Sequence, residues 1–190
     1  MSLWGNDIKP KNLTDAEKKE VFANTKGWVR EAGSVLSGNG NTSADPEVLV
    51  AIGGLSANMG SANITEIEFI TTSFDKSDGG NIDVRVRFNE PVTVTGTPRV
   101  SITNGNQGTG TGRGPHLANY LSGSTTNELL FRCTIAAANA ATNADDVLVI
   151  GTNATALNSG TIKDTGTSTV STITNSSAIG TAAGSITVVA

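Results

Sequence analysis

From Asn81 to Pro98 the chain reads NIDVRVRFNEPVTVTGTP, and through its first half Ile82, Val84, Val86 and Phe88 alternate with Asn81, Asp83, Arg85 and Arg87. A period of two is the signature of a half-buried strand. The four hydrophobes are expected to face a core, while Arg85 and Arg87 point to solvent or to a neighbouring subunit. Glu90-Pro91 removes a backbone donor and predicts a step in the pairing, after which Val92 and Val94 resume on the same parity until Gly96 and Pro98 impose a turn. Leu129, Phe131, Cys133 and Ile135, with Arg132 and Thr134 on the other parity, predict a second strand of the same kind.

Apolar runs recur at short intervals from Ile64 onward: ITEIEFITT, VTVT, RVSIT, LANYLS, ELLFRCTI, DVLVI, GTIKD and SITVV. Turn-forming clusters separate them, among them Asp78-Gly79-Gly80-Asn81, Asn104-Gly105-Asn106, Ser122-Gly123-Ser124 and Asn158-Ser159-Gly160. This cadence predicts an antiparallel sandwich of two sheets packed face to face. The stretch from Thr165 to Gly184 loses periodicity and reads as a long loop before a terminal strand at Ser185 to Val189.

Upstream the pattern differs. Met1 to Asn12 is short and broken by Lys9-Pro10-Lys11, an arm rather than a fold. Thr14 followed by Glu17 forms a capping box, predicting a helix of roughly three turns that ends near Gly27. Trp28 to Arg30 and Glu47 to Ile52 predict two strands around a Gly/Asn/Ser loop from Gly33 to Asp45. Composition changes near Ala62. The expected fold is therefore mainly β: a sandwich over 63–190 carried by a small α+β anchor over 1–62, made of an arm, one short helix and a β-hairpin.

Composition agrees with many short strands. The chain has 190 residues, 22 of them Gly, and only 4% aromatics, which suits one ordinary domain with an appendage. A net charge of -4 on 16% charged residues gives no long-range attraction to a polyanion, so nucleic acid is not an expected partner. A single cysteine closes no disulfide within the chain. No run of about 18 apolar residues predicts a membrane span, and MSLWGNDIKPKN has no apolar leader region, so no secretory export is expected.

Candidate chemistry is sparse. His116 lies in GRGPHLANY without a Cys or an acid beside it in sequence, and reads as a loop or strand-edge histidine rather than a base or ligand. Cys133 sits on the apolar parity of its strand, as a small buried hydrophobe would. The glycine-rich NGNQGTGTGRG lacks the Gly-Lys-Ser/Thr and the following helix that a phosphate cradle requires, and reads as a hairpin loop with Arg113 as a surface contact. Asp75, Asp78 and Asp83, or Asp145-Asp146, lack calcium-loop spacing and read as solvated turn acids. No catalytic, cofactor-binding or metal-binding residue is expected, and no enzyme. Trp4 and Trp28 both fall in the small N-terminal part, where partner contact and local packing compete.

NIDVRVRFNEPVTVTGTPRVSITNG, LANYLSGSTTNELLFRCTI and DDVLVIGTNATALNSGTIKDTGT together resemble the bacterial Ig-like repeat, in which VTVTGTP, a Tyr-x-Ser-Gly step and GTIKD follow in that order. The resemblance covers Ile64 to Ala190 and implies that the sandwich is Ig-like. Ala137 to Asn143 stands where the family has a Gly-Asp turn, so no calcium role is carried over. LWGN, KPKNLT, the Gly-Trp-Val step and EVLVAI resemble the N-terminal segment of structural proteins of tailed phages, especially those infecting marine cyanobacteria. Together they imply a non-enzymatic virion protein, assembled in the host cytoplasm in many copies or as a homo-oligomer. It would decorate the capsid by binding the major capsid protein. Attachment would fall to Leu3, Trp4, Trp28 and, on the EVLVAI strand, Val48 and Val50. A neck, tail or fibre-attachment protein is the first alternative. A carbohydrate-binding or adhesive module that reaches host-surface glycans through Tyr120 is the second.

Overall fold

The computed structural model describes residues 10, 13–34, 38, 40–105 and 114–190, and the chain divides between Gly60 and Ser61 into two compact units.

In the first unit, helix α1 (Asp15–Glu20) starts at Thr14, whose hydroxyl accepts from the Glu17 N–H while the Glu17 carboxylate accepts from the Thr14 N–H. The capping box is present as read. The Thr14 N–H and the Thr14 hydroxyl both donate to the Glu17 carboxylate and hold it below its ordinary range. The helix does not run to Gly27, however. It stops at Glu20, and β1 (Val21–Asn24) turns directly into β2 (Gly27–Arg30). Val21 and Phe22 are β-branched and aromatic, and the Asn24 side chain accepts from the N–H groups of Lys26 and Gly27, closing a tight turn. Gly27 has φ +135°, and a Cβ there would lie 2.0 Å from the Val50 carbonyl oxygen, so only glycine fits. On the far side of β2 lies β3 (Glu47–Ala51), giving the sheet order β1-β2-β3. Helix α2 (Leu55–Asn58) follows it. Val21, Ala23, Trp28 and Leu55 form this unit's core, with Leu13, Leu49, Val50, Ile52 and Met59 packed around it.

The second unit contains β4 (Ile64–Phe69), β5 (Phe74–Asp75), β6 (Gly80–Thr95), β7 (Arg99–Gly105), β8 (His116–Ser122), β9 (Thr126–Ile135), β10 (Val147–Ala156), β11 (Thr161–Asp164), helix α3 (Ser177–Ala182) and β12 (Ser185–Val189). Hydrogen bonding links the strands in the order β11-β6-β9-β8-β7-β10-β12-β5, with β4 also on β6. Pairing is antiparallel throughout except for β12 with β5. The sheet curls on itself in a sandwich-like arrangement. Strands from its two ends meet in one core, in which Ile67, Ile82, Val84, Val86, Phe88, Leu129, Phe131, Ile102, Leu148, Ile162 and Val188 are all fully buried.

The strand β6 is continuous through Glu90-Pro91, so the predicted step is not a break in the strand. It is an exchange of neighbours. On one side β9 follows β6, with a register shift between Arg87 and Val92. On the other side β4 pairs with Val84 to Phe88 and β11 with Val92 to Thr95. Proline at the changeover costs no ladder bond.

The outward parity of β6 carries an ion-pair ladder across three strands. Arg85 reaches Glu68 of β4 and, at 3.1 Å, Glu128 of β9. Arg132 of β9 grips Asp83 through two hydrogen bonds of 2.7 Å, which lower the Asp83 pKa. Arg87 departs from expectation. It pairs with Glu128 and is only 4% exposed, so it does not point to solvent. Cys133 is half-buried rather than fully buried, and burial pushes its thiol pKa up.

The stretch 165–184 is more ordered than its composition suggests. Lys163 bridges Val170, Asn63 bridges Thr172, and the Ser176 hydroxyl caps α3 by accepting from the Ile179 N–H. Asn175 stitches the bulge in β10, accepting from Ala154 N–H and donating to the Gly151 carbonyl. Gly180 lets α3 approach, since a Cβ there would lie 2.7 Å from the Ile150 carbonyl oxygen. The strand expected at Ser185 to Val189 is β12.

Phe131 is fully buried, whereas Leu117 on β8 is 38% exposed. Phe131→Ala should therefore destabilise the chain by about 3–5 kcal/mol and Leu117→Ala by less than about 0.5 kcal/mol. Equilibrium denaturation would check both, and equal costs would mean that the curl does not bury this face.

Candidate functional site

Of the residues expected to touch a partner, Leu3, Trp4 and Arg113 lie outside the described residues. Trp28 is packed locally. It is 2% exposed, at the centre of the small core, so its indole holds β2 rather than presenting a surface. Val48 and Val50 separate from each other. β3 pairs Val50 with Trp28 and Val48 with Val29, leaving Leu49 as the extra residue of a bulge. The bulge turns Leu49 and Val50 onto the core while Val48 remains 43% exposed on an edge strand.

Tyr120 is half-buried and is not an open platform. Its ring stands edge-on to Phe131 with centroids 6.0 Å apart, and its hydroxyl accepts from the Ser124 N–H at 2.9 Å. Three of the five acids weighed for calcium, Asp75, Asp83 and Asp146, are engaged locally. Asp75 accepts from the Ser77 N–H, and Asp83 holds Arg132. Asp146 accepts from the Asn143 N–H. Among the described residues no group of three or more His, Cys, Asp or Glu side chains is placed to hold a metal ion.

His116 is the first residue of β8 and pairs only with Ile102 of β7, since the β9 register begins at Asn119. β8 lies between β7 and β9, and His116 at its start is 7% exposed. The fold also supplies the acid that its sequence neighbours lack. The Asn104 amide nitrogen lies 3.4 Å from His116 Nε2 and donates at 3.0 Å both to Asp146 Oδ2 and to the Ala141 carbonyl. Asp146 is fully buried. Burial lowers the imidazole pKa and outweighs the opposing pull of the Asp146 charge. The set therefore holds a neutral histidine in a closed polar knot that ties β7, β8 and the start of β10 together.

A second polar pair was missed altogether. Glu90 and Asp164 are each 1% exposed and lie across the β6–β11 seam. The signal was in the alternation: Glu90 occupies the parity of Phe88 and Val92, and Asp164 that of Ile162.

No family model, no curated protein and no solved structure matches this chain.

A histidine whose pKa is lower folded than unfolded binds its proton more readily in the unfolded chain. Its contribution is present above the ordinary histidine value and is lost as the pH falls. Wild type should lose stability relative to His116→Gln as the pH is lowered from about 6.5 to about 5. Superimposable denaturation profiles would show that His116 accepts its proton inside the fold.

Proposed function

We propose that this chain is a non-enzymatic structural protein of a tailed-phage virion. It decorates the capsid by binding the major capsid protein through its N-terminal part, and it displays an Ig-like module outward. One observation carries the reading. The three motifs that resemble the bacterial Ig-like repeat lie in one body, on β6, β8 and β11, and each performs a structural task there. VTVTGTP forms the second half of β6 and the turn into β7, and GTIKD forms β11 on that same half of β6. The Tyr-x-Ser-Gly step ends β8, with Tyr120 fastening the following turn. That these motifs fall on strands and turns of one sandwich-like sheet supports the Ig-like reading.

Attachment falls to Leu3 and Trp4 on the arm and to the β3 edge at Val48. An exposed strand edge recruits a partner by adding a strand to its sheet or by burying apolar side chains. Trp28 leaves the attaching set, because its ring is already spent on the core. The buried polar groups fit a scaffold. The Asn104 amide nitrogen spends its donors on Asp146 and backbone beside His116, away from solvent, while Asn104 Oδ1 is buried without a partner.

Deleting 1–12 should abolish incorporation into particles while the 61–190 unit stays folded, and Val48→Lys should lower occupancy several-fold without changing stability by more than about 0.5 kcal/mol. Quantitative gel densitometry of purified particles measures both effects. Unchanged occupancy in the deletion would refute attachment by the arm. Copy number assigns the position, because decoration requires on the order of hundreds of copies per particle and a neck ring about a dozen.

A further inference from the structure

On β6 the inward parity runs Ile82, Val84, Val86, Phe88, Glu90, Val92, one carboxylate in a row of hydrophobes. Across the seam, Asp164 pairs with Val92 and shares its face with Ile162, which makes Glu90 and Asp164 diagonal neighbours on the inner face. Their environments differ. Asp164 Oδ1 accepts from the N–H groups of Gly166 at 2.6 Å and Thr167 at 2.8 Å. Its Oδ2 has no protein partner, nor has either oxygen of Glu90, nor the buried Ser171 hydroxyl on the adjoining segment.

Two adjacent carboxylates in a dry site cannot both stay ionised, and three buried acceptor oxygens cannot satisfy one another without a hydrogen. One proton resolves both difficulties. The two N–H donors favour the anion at Asp164, so the proton resides on Glu90, which then donates toward Asp164 Oδ2. We propose that Glu90 and Asp164 share a single proton and form an alkali-sensitive lock where β6 exchanges β4 for β11.

The surrounding charges leave this arrangement undisturbed. Asp83, Arg85 and Arg87 of β6 are paired with Arg132, with Glu68 and Glu128, and with Glu128, on the opposite parity. Glu66 of β4 lies opposite Arg87, and Lys163 of β11 points outward. Asp75 of β5 is engaged in its own turn, and His116 of β8 lies beside Asn104. Burial first, and then the charge and hydrogen bond of Asp164, push the Glu90 pKa up to about 8. Because that value is raised on folding, the stabilisation is complete below the ordinary glutamate range and is lost as the pH rises toward 8.

The test is equilibrium denaturation of the full chain from about pH 5 to about pH 9, comparing wild type with Glu90→Gln. Gln stays neutral and keeps a donor toward Asp164. Relative to this variant, the wild-type folding constant should fall by about tenfold per pH unit up to about pH 8 and then level. Should Glu90→Gln fail to fold, Asp164→Asn serves, since removing the neighbouring charge should make the profile level off at a lower pH. Parallel profiles for wild type and variant would overturn the proposal. So would a Glu90 carboxyl carbon resonance that titrates in the ordinary glutamate range. Calcium chloride added at about pH 9 should not restore stability; restoration in wild type but not in Glu90→Gln would replace the shared proton by a cation site.

Discussion

The second unit depends on how one long strand satisfies its backbone. β6 runs for 16 residues, far beyond the usual five or six, and each residue presents hydrogen-bonding groups that must be met. β9 meets them along one side. No single strand meets them along the other: β4 serves the first half and β11 the second. Between these two ladders, Asn89 donates its N–H to the Asn63 carbonyl and accepts from the Asn63 N–H through its side chain, while the Thr165 N–H reaches the Pro91 carbonyl. Pro91 brings no donor of its own, so the gap between β4 and β11 leaves one fewer group to satisfy. The strand passes from one half of the unit to the other without a turn.

That continuity explains where the polar groups of the core lie. Burying a carboxylate or an imidazole is tolerated when hydrogen bonds replace water, and both buried polar sets stand where the ladders are irregular. The His116, Asn104 and Asp146 knot closes the end of β7 and the start of β8 beside the turn that enters β10. Glu90 and Asp164 stand at the changeover on β6. Such groups contribute little net energy compared with hydrophobes of equal size, but they reject registers in which they would be left unpaired. A slip of one residue along β6 would turn the whole hydrophobic row outward. It would also part Glu90 from Asp164.

What could be read from the residues follows from the range of the interactions involved. Alternation is local, so the strands at Asn81, Leu129 and Ser185 and the core face of Ile82, Val84, Val86 and Phe88 were legible. The capping box at Thr14 was legible too, yet the helix it opens stops at Glu20, because the Asn24 side chain and Gly27 close a hairpin whose fit depends on Val50, far along the chain. Helix α3 was hidden in a Thr/Ser/Ala/Gly stretch, since Asn175 and Gly180 matter only against the bulge of β10. Arg87 looked solvated until Glu128 was brought across from β9. His116 lacked an acid because Asp146 is supplied from thirty residues away. Glu90 is different: its parity was visible, but reading Glu90-Pro91 as a break set aside the alternation that would have placed it inside.

The two units treat their sheet edges differently. In the larger unit, β11 is flanked by the Lys163–Val170 bridge and β4 is extended by the Asn63–Thr172 bridge. Its other edge, β5, is only two residues long. Short or covered edges are the usual defence against unwanted strand addition. In the smaller unit β3 ends the sheet over five residues, and a bulge aims Leu49 and Val50 at the core while leaving Val48 outward. Neither Lys nor Pro lies within that strand to blunt it, and Glu47 at its start is drawn toward Arg30. The difference is one of edges only, because the larger unit also exposes apolar side chains, among them Val170 beside β11 and Val189 at the end of β12.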